Sequence, residues 1–181
     1  NQNDGTFTYS PGTGFQELAE DEPTDVTFRY RARDQHDANS SITVATVVVT
    51  GVNDAPTAAS FSVSTPENAP VNVDFGGDDI DSDDTPTSLL YSIVPGSLAA
   101  DSGSVTNNAN GMFTFDPGAD FDSLPAGESR VVSFAYEAVD KHGSSSDRAT
   151  VSITVTGTND APVASGGTVQ AVEDGLPVDG V

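Results

Sequence analysis

The sequence predicts an all-β protein built from tandem Greek-key β-sandwich repeats. Three observations predict it: a long internal repeat, apolar residues that alternate with polar ones, and clusters of Gly, Pro, Asn and Asp between short apolar runs. Alternation with a period of two is the pattern of a half-buried antiparallel strand. About seven such runs in about 100 residues, with no helical period, are typical of a sandwich.

The internal repeat has a period of 106 residues. At this one offset, residues 5–12 match residues 111–118, and residues 49–56 match residues 155–162. This period is longer than the roughly 20 to 50 residues of solenoid repeats, so each copy is expected to have a core of its own.

The segment Asn-Asp-Ala-Pro, at residues 53–56 and again at 159–162, marks the repeat boundaries. We therefore divide the chain into the C-terminal part of one repeat (1–52), a complete repeat (53–158) and the start of a third (159–181). We read the chain as part of a longer protein.

The clearest strands lie late in the complete repeat. Val132, Phe134, Tyr136 and Ala138 share one face of an alternating run, and residues 149–155 alternate strictly between apolar and hydroxyl side chains. Both runs predict half-buried strands. Further strands are predicted, in chain order, at residues 61–63, 71–75, 89–94, 103–106 and 112–115.

The composition narrows the classes of function. A net charge of -22, from 28 acidic residues against 6 Lys and Arg, argues against nucleic-acid binding, because such a surface repels phosphate. The chain has no cysteine, which excludes disulfides and thiolate metal sites. No apolar run approaches the length that spans a bilayer, so no membrane insertion is expected.

The densest acidic run, at residues 78–84, contains five aspartates. Alternating carboxylates on one loop can converge on a hard cation such as Ca²⁺, which prefers oxygen ligands. The run is not an EF-hand, because Asp84 stands where Gly is required and Leu90 where Glu is required. A solvated acidic loop is the alternative interpretation.

Two other motifs each allow two interpretations. Asn53 and Asp54 are either cation ligands between repeats or part of a turn that Pro56 stiffens. His36 and His142 occupy equivalent positions, two residues after an aspartate, and a turn role is favoured over catalysis. No Gly-x-Ser-x-Gly segment accompanies them, so we do not expect an enzyme.

Three motifs together resemble a known family. They are residues 111–121, the strand end Phe-x-Tyr-x-Ala-x-Asp at residues 134–140, and Val-Thr-Gly-x-Asn-Asp-Ala-Pro at residues 155–162. They resemble the VCBS and cadherin-like repeats of large bacterial adhesins of the RTX type. The resemblance implies immunoglobulin-like, cadherin-like sandwiches on the cell surface, export by type I secretion, and calcium bound between neighbouring domains.

The resemblance also implies which residues would bind calcium. At the first junction these are Asn53, Asp54, Asp79, Asp81 and Asp140. At the second junction they are Glu67, Asn159 and Asp160, with Asp116, Asp120 or Asp122 in place of the acids that cadherins carry in mid-domain. The cadherin Asp-Arg-Glu triplet and the leading Asp of the linker are missing.

The function expected from these features is a calcium-stabilised spacer that stiffens an array and presents a distal adhesive domain. Its partners would be the neighbouring repeats, and the partial repeats at the two ends suggest head-to-tail self-association. One alternative is a module that binds exopolysaccharide, with Tyr9, Tyr30, Tyr91 and Tyr136 as candidate sugar-stacking rings. Another is a spacer within a secreted enzyme.

Overall fold

The structure is a computed structural model, and it describes residues 5–170 and 173–174. It confirms an all-β fold. The strands are, in chain order, β1 (Pro23–Tyr30), β2 (Thr43–Thr50), β3 (Thr57–Ala58), β4 (Phe61–Pro66), β5 (Val71–Asp74), β6 (Gly77–Asp78), β7 (Leu90–Ile93), β8 (Ser104–Asn107), β9 (Met112–Asp116), β10 (Ser129–Val139) and β11 (Ala149–Thr156). Within the described residues, no helix is long and apolar enough to span a membrane.

The complete repeat forms a sandwich of two main sheets. One sheet has the order β4-β11-β10-β7 and the other has the order β5-β9-β8, while β3 and β6 form a small ribbon. β4 runs parallel to β11, and the other pairs are antiparallel. The two sheets meet through aromatic rings, such as Phe113 of β9 and Phe134 of β10, whose centroids are 5.0 Å apart.

The core of this sandwich confirms the alternation predicted for residues 132–138. Val132, Phe134, Tyr136 and Ala138 are all buried, and the residues between them face outward. Side chains of the size of Val132 and Phe134 each contribute about 1.5–3 kcal/mol when they are fully buried. The hydroxyl group of Tyr136 is satisfied inside the core, because it lies 2.7 Å from the carbonyl oxygen of Ala59 and accepts the N–H of Gly76.

Three short elements were not predicted from the sequence. β3 and β6 contain two residues each, which is too short to show a period. A single 3-10 turn at Gly118–Phe121 follows Pro117, and it buries Phe121 against Phe115. One turn of helix cannot produce a helical pattern in the sequence, so its position depends on the burial of Phe121.

The partial repeat at the N-terminus contains β1 and β2, which pair with the register of β10 and β11. Pro23 opposes Thr50 in the first pair, and Ser129 opposes Thr156 in the second, at the 106-residue offset. At the other end, residues 159–170 are exposed and have no regular structure. The third repeat's remaining residues, 171–172 and 175–181, lie outside the described part, and head-to-tail association stays a prediction.

Candidate metal centre at the junction between repeats

Three segments of the chain meet where the partial repeat joins the complete repeat. They are the linker at residues 53–56 after β2, the acidic loop at residues 78–84 after β6, and the turn at residues 140–144 after β10. The sandwich topology places them at one end of the complete repeat, and we call this region the junction.

The junction brings together the five residues implied for the first calcium site. The Nδ2 group of Asn53 donates a hydrogen bond of 2.9 Å to Oδ2 of Asp140. The backbone N–H of Asp54 donates to Oδ2 of Asp81 at 2.9 Å, and the backbone N–H of Asp81 donates to Oδ1 of Asp79 at 3.0 Å. A continuous hydrogen-bonded network therefore ties the linker to both the acidic loop and the turn.

Asp140 is held by the turn in which it lies. Its side chain is buried, and its Oδ1 atom accepts the backbone N–H of Ser144 at 2.8 Å. Burial by itself raises the pKa of Asp140, but the hydrogen bonds from Asn53 and from the turn's backbone outweigh it and hold the pKa below its ordinary value. Asp140 is therefore a carboxylate fixed in its charged form.

In Asp81, unlike Asp140, the effects that raise the pKa outweigh the hydrogen bond that lowers it. Asp81 is 2% exposed, and this burial raises its pKa above the ordinary value. The N–H of Asp54 opposes the shift, whereas the negative charges of Asp79, Asp54 and Asp83 add to it. A buried carboxylate surrounded by like charges is costly unless a positive charge reaches it.

Buried oxygens without partners are concentrated at this junction. Among the described residues, five buried side-chain oxygens have no hydrogen-bond partner: Oδ1 of Asn53, Oε2 of Glu67, Oδ2 of Asp79, Oδ1 of Asp81 and Oδ2 of Asp84. Four of them belong to the linker and the acidic loop. Each unsatisfied buried polar group costs about 1–3 kcal/mol, so their grouping marks the place where a bound cation or ordered water would stabilise the fold most.

The chemistry of these atoms fits a hard cation. All are carboxylate or amide oxygens, which are the ligands of Ca²⁺. In the conformation described for residues 5–170 and 173–174, no three acidic or histidine side chains converge closely enough to hold an ion. These oxygens are therefore suitable in kind and adjacent in space, without surrounding an ion-sized space in this conformation.

The upstream partial repeat contributes acids that the sequence analysis missed. The backbone N–H of Ser82 donates to the carbonyl oxygen of Glu17 at 2.9 Å, and the Ser82 hydroxyl donates to Oε2 of Glu22 at 3.0 Å. The repeat contains a signal for Glu22, because Glu128 occupies the equivalent position at the 106-residue offset. Glu17 and Glu20 have Ser123 and Ala126 as their counterparts, and the repeat gives no signal for them.

Two basic side chains border the acidic loop. Lys141 forms an ion pair with Asp83, and this contact holds the pKa of Asp83 below its ordinary value and raises that of Lys141. The Nδ1 atom of His142 lies 2.6 Å from Oε2 of Glu20 in the upstream repeat. His142 lies in a turn, as predicted, and in addition it contacts a second repeat.

An open groove of about 680 Å³ lies between the two repeats at this junction. Gln16 and Glu17 line it on the upstream side, and Asp54, Asp78 and Asp79 line it on the downstream side. Its walls are acidic on both sides, so the groove concentrates negative potential between the repeats.

The opposite end of the complete repeat contains Glu67. Its side chain is 2% exposed, and Oε1 accepts the N–H of Thr158 at 2.6 Å, while Oε2 has no partner. Asn159 and Asp160 follow Thr158 directly and are exposed. The structure therefore places Glu67 beside the second linker.

The other acids proposed for the second junction make local contacts. Oδ1 of Asp116 accepts the N–H of Gly118 at 3.0 Å, and Oδ2 of Asp120 accepts the N–H of Gly103 at 2.8 Å. Asp122 follows the 3-10 turn, where its backbone N–H donates to Ala119. These hydrogen bonds do not connect the three acids to Glu67, and their role at the second junction stays a prediction.

The sheet order and the acidic, oxygen-rich junction define a β-sandwich module within a chain that has an internal repeat. The sequence model of the bacterial cadherin-like domain matches residues 53–157. The chain belongs to this family. The narrower resemblance to VCBS repeats of RTX-type adhesins stays a prediction.

Several solved structures are similar to parts of the chain. Drosophila N-cadherin EC1-4 is 19% identical over 81% of this chain and 36% of its own, with a TM-score of 0.42. The human desmocollin-1 ectodomain is 18% identical over 71% of this chain and 26% of its own, with a TM-score of 0.40. A SusE-like surface-located polysaccharide-binding protein from Bacteroides thetaiotaomicron is 16% identical over 74% and 24%, with a TM-score of 0.34.

The chain thus spans between 24% and 36% of the length of these three structures. No curated protein sequence matches the chain.

Proposed function

We propose that this chain is a calcium-stabilised, non-catalytic spacer from an extracellular bacterial adhesion protein. The observation that carries the proposal is the group of unpartnered buried oxygens on Asn53, Asp79, Asp81 and Asp84. They lie where two repeats meet, and the bacterial cadherin-like family supports reading this junction as a place where a cation joins domains.

The ligands would come from three segments of the chain. Asn53 and Asp54 lie on the linker, Asp79 and Asp81 on the acidic loop, and Asp140 on the turn after β10. Calcium, when bound, would supply the positive charge that these oxygens lack. The backbone and Asn53 hydrogen bonds to Asp140 already hold that carboxylate charged and oriented, so it is ready to accept a cation.

Asp81 is the residue that would gain most from the cation. Burial and the neighbouring carboxylates raise its pKa, so the metal-free protein bears an electrostatic cost there. A divalent ion would reverse the sign of that interaction. Because the ligands belong to the linker as well as to the downstream repeat, binding would also restrict the angle between the repeats.

Calcium at millimolar concentrations would be sufficient to occupy such a site. Extracellular modules bind Ca²⁺ with Kd values of about 0.1–1 mM. An ion that binds only the folded state at about ten times its Kd stabilises that state by about 1.4 kcal/mol. In a chain of this size, that corresponds to a rise in Tm of roughly 3–6 °C.

The test is calorimetric melting of the chain in calcium and then in chelator. We expect 10 mM CaCl₂ to raise the Tm by roughly 3–6 °C. The variant Asp81→Asn should lose most of this rise, because it removes one charged ligand. Asp25→Asn is the matched control, since Asp25 is an exposed acid on β1 and should leave the calcium response unchanged.

Magnesium chloride at equal ionic strength separates specific binding from the general screening of 28 acidic residues. A Tm that does not change between calcium and chelator would refute the proposal. An equal rise in MgCl₂ and in both variants would assign the effect to screening alone.

Sugar binding has less support than the spacer role. Tyr91 and Tyr136 are buried in the core of the sandwich, where their hydroxyl groups are hydrogen-bonded to Pro86 and Ala59. Their rings are therefore unavailable for stacking on a sugar. Tyr30 is 52% exposed on the partial repeat and is the most accessible ring of the four candidates.

A further inference from the structure

We propose that Ser82 and His142 form a metal-independent clasp that docks the upstream repeat onto the complete repeat. Neither residue needs to bind a cation. In this role they are positioning residues, which bring the oxygen ligands of the junction together before any ion arrives. The docking itself goes beyond the proposed function, whereas its effect on cation affinity rests on that function.

Ser82 makes two hydrogen bonds to the upstream repeat, one from its backbone N–H and one from its hydroxyl group. Its backbone N–H donates to the Glu17 carbonyl at 2.9 Å, and its hydroxyl donates to Oε2 of Glu22 at 3.0 Å. The same Oε2 atom accepts the backbone N–H of Ala19 at 3.1 Å, so the Glu22 carboxylate is already fixed within its own repeat. Ser82 therefore binds a prearranged acceptor rather than a free side chain.

His142 makes the second contact of the clasp. Its Nδ1 atom lies 2.6 Å from Oε2 of Glu20, and its Nε2 atom lies 3.7 Å from Oδ2 of Asp83. The ring, with 27% of its side chain exposed, thus lies between a carboxylate of each repeat. An imidazole that carries a proton on Nδ1 donates to Glu20 whether the ring is neutral or charged.

Ser82 lies in the acidic loop directly after Asp81, a residue of the candidate centre. The clasp consequently fixes the acidic loop at the point where it faces the upstream repeat. Without such contacts, the acidic walls of the groove repel one another and favour separation of the repeats. A junction that is ordered in advance loses less conformational entropy when it binds an ion, so its affinity is higher.

Each contact is weak on its own, because both pairs are accessible to water, which competes for their hydrogen bonds. Together, the two contacts hold the acidic loop and the turn after β10. A variant that changes both Ser82 and His142 is therefore the most informative. The complete repeat lacks the carboxylate that His142 contacts, because Ala126 stands at the position equivalent to Glu20.

The experiment measures the distance between the two repeats in the 181-residue chain. The chain has no cysteine, so spin labels attach only at Thr46→Cys and Thr150→Cys, two exposed strand positions in the two repeats. In EDTA, we expect a narrow distance distribution for the parent chain. The double variant Ser82→Ala/His142→Ala should broaden it at least about twofold, because it removes the hydroxyl contact to Glu22 and the imidazole contact to Glu20 and leaves only the backbone hydrogen bond to Glu17.

Three further variants control this result. Ser82→Thr/His142→Gln keeps both donors and should restore the narrow distribution. Glu20→Ala removes the histidine contact from the upstream side and should broaden it in part. His36→Ala changes the equivalent turn of the partial repeat and should have no effect. Circular dichroism in EDTA should show that all variants remain folded, since neither Ser82 nor His142 belongs to the core.

Calcium titration of the same variants supplies the second measurement. We expect the double variant to bind about fivefold to tenfold more weakly, and the conservative variant to recover the parent affinity. A broad parent distribution in EDTA, or a double variant as narrow as the parent, would overturn the clasp. If the parent binds no calcium, the proposed function fails, and the distances in EDTA still decide the clasp independently.

Discussion

The two copies of the β10–β11 hairpin have nearly the same backbone and very different surroundings. In both, the backbone pairing continues just beyond the strands at the open end of the hairpin, where the N–H of Gly51 or Gly157 donates to the carbonyl oxygen of Glu22 or Glu128, at 2.8 and 2.9 Å. In both, the hairpin ends with a serine hydroxyl that accepts a backbone N–H at 2.9 Å, Ser40 from Ala32 and Ser146 from Ala138.

Burial separates the two copies. Tyr30 is 52% exposed, whereas its counterpart Tyr136 is fully buried, and the sheet that covers Tyr136 has no described counterpart over β1 and β2. Local sequence therefore determines strand pairing and turn hydrogen bonds, whereas core formation requires the opposing sheet. The comparison predicts that the same substitution has unequal effects in the two copies.

The largest difference in lost stability is expected between Phe134→Ala and Phe28→Ala. Phe134 is 1% exposed and packs on Phe113, so its loss should cost about 3–5 kcal/mol. Phe28 packs on Phe7, which is itself 50% exposed, and its loss should cost about 1–2 kcal/mol. Hydrogen exchange of the amides in β10 and β1 measures both values. Equal losses would show that the partial repeat has a core as well formed as that of the complete repeat.

A smaller inequality is expected for Tyr136→Phe against Tyr30→Phe. The Tyr136 hydroxyl contacts Ala59 and Gly76, so its removal should cost about 1–3 kcal/mol, while Tyr30→Phe should be nearly neutral. Urea denaturation followed by NMR signals of each copy tests this expectation.

The buried Tyr136 also predicts that the free energy of unfolding depends on pH. Burial raises the pKa of Tyr136 above its ordinary value of 10.0, so its contribution to stability is complete below about pH 10. As the pH rises further, the unfolded chain releases this proton first, and the free energy of unfolding falls. Burial raises the pKa of Tyr91 as well, so Tyr136→Phe should reduce this alkaline loss without abolishing it. An unchanged alkaline loss would contradict the assignment.

The smallest inequality is expected for Ser146→Ala against Ser40→Ala. Both hydroxyl groups accept a backbone N–H at or just after the end of the preceding strand, but the Ala138 N–H is buried and the Ala32 N–H is exposed to water. The first substitution should cost about 1–2 kcal/mol and the second less than about 0.5 kcal/mol, because water replaces the lost partner. Thermal denaturation of the two variants provides the measurement, and a cost at Ser40 equal to that at Ser146 would be the contrary result.

Much of the fold could be predicted because it is encoded locally. The alternation at residues 132–138 and 149–155 fixes which side chains face the core, and the structure confirms those strands. The two-residue strands and the 3-10 turn could not be predicted, because they are too short to produce a period. Their positions depend on residues such as Phe121, which finds its place only once the sandwich has formed.

The candidate site could be predicted only in part, and the prediction came from sequence motifs rather than from the alternation of strands. Asn53 and Asp54 were identified as possible cation ligands by their place between repeats, and Asp140 through family resemblance. The structure places all three within one hydrogen-bonded network. Glu17 and Glu20 were missed because their positions depend on the packing of one repeat against the next. No pattern within a single strand or turn encodes that packing.

The parallel pairing of β4 with β11 has a mechanical consequence. The complete repeat begins with β3 and β4 and ends with β11, and residues 61–66 pair in parallel with residues 151–156. Tension applied at the two ends of this repeat pulls β4 and β11 past each other along their length. The hydrogen bonds between them are then loaded in shear and must break together, which resists stretching far better than opening one bond at a time.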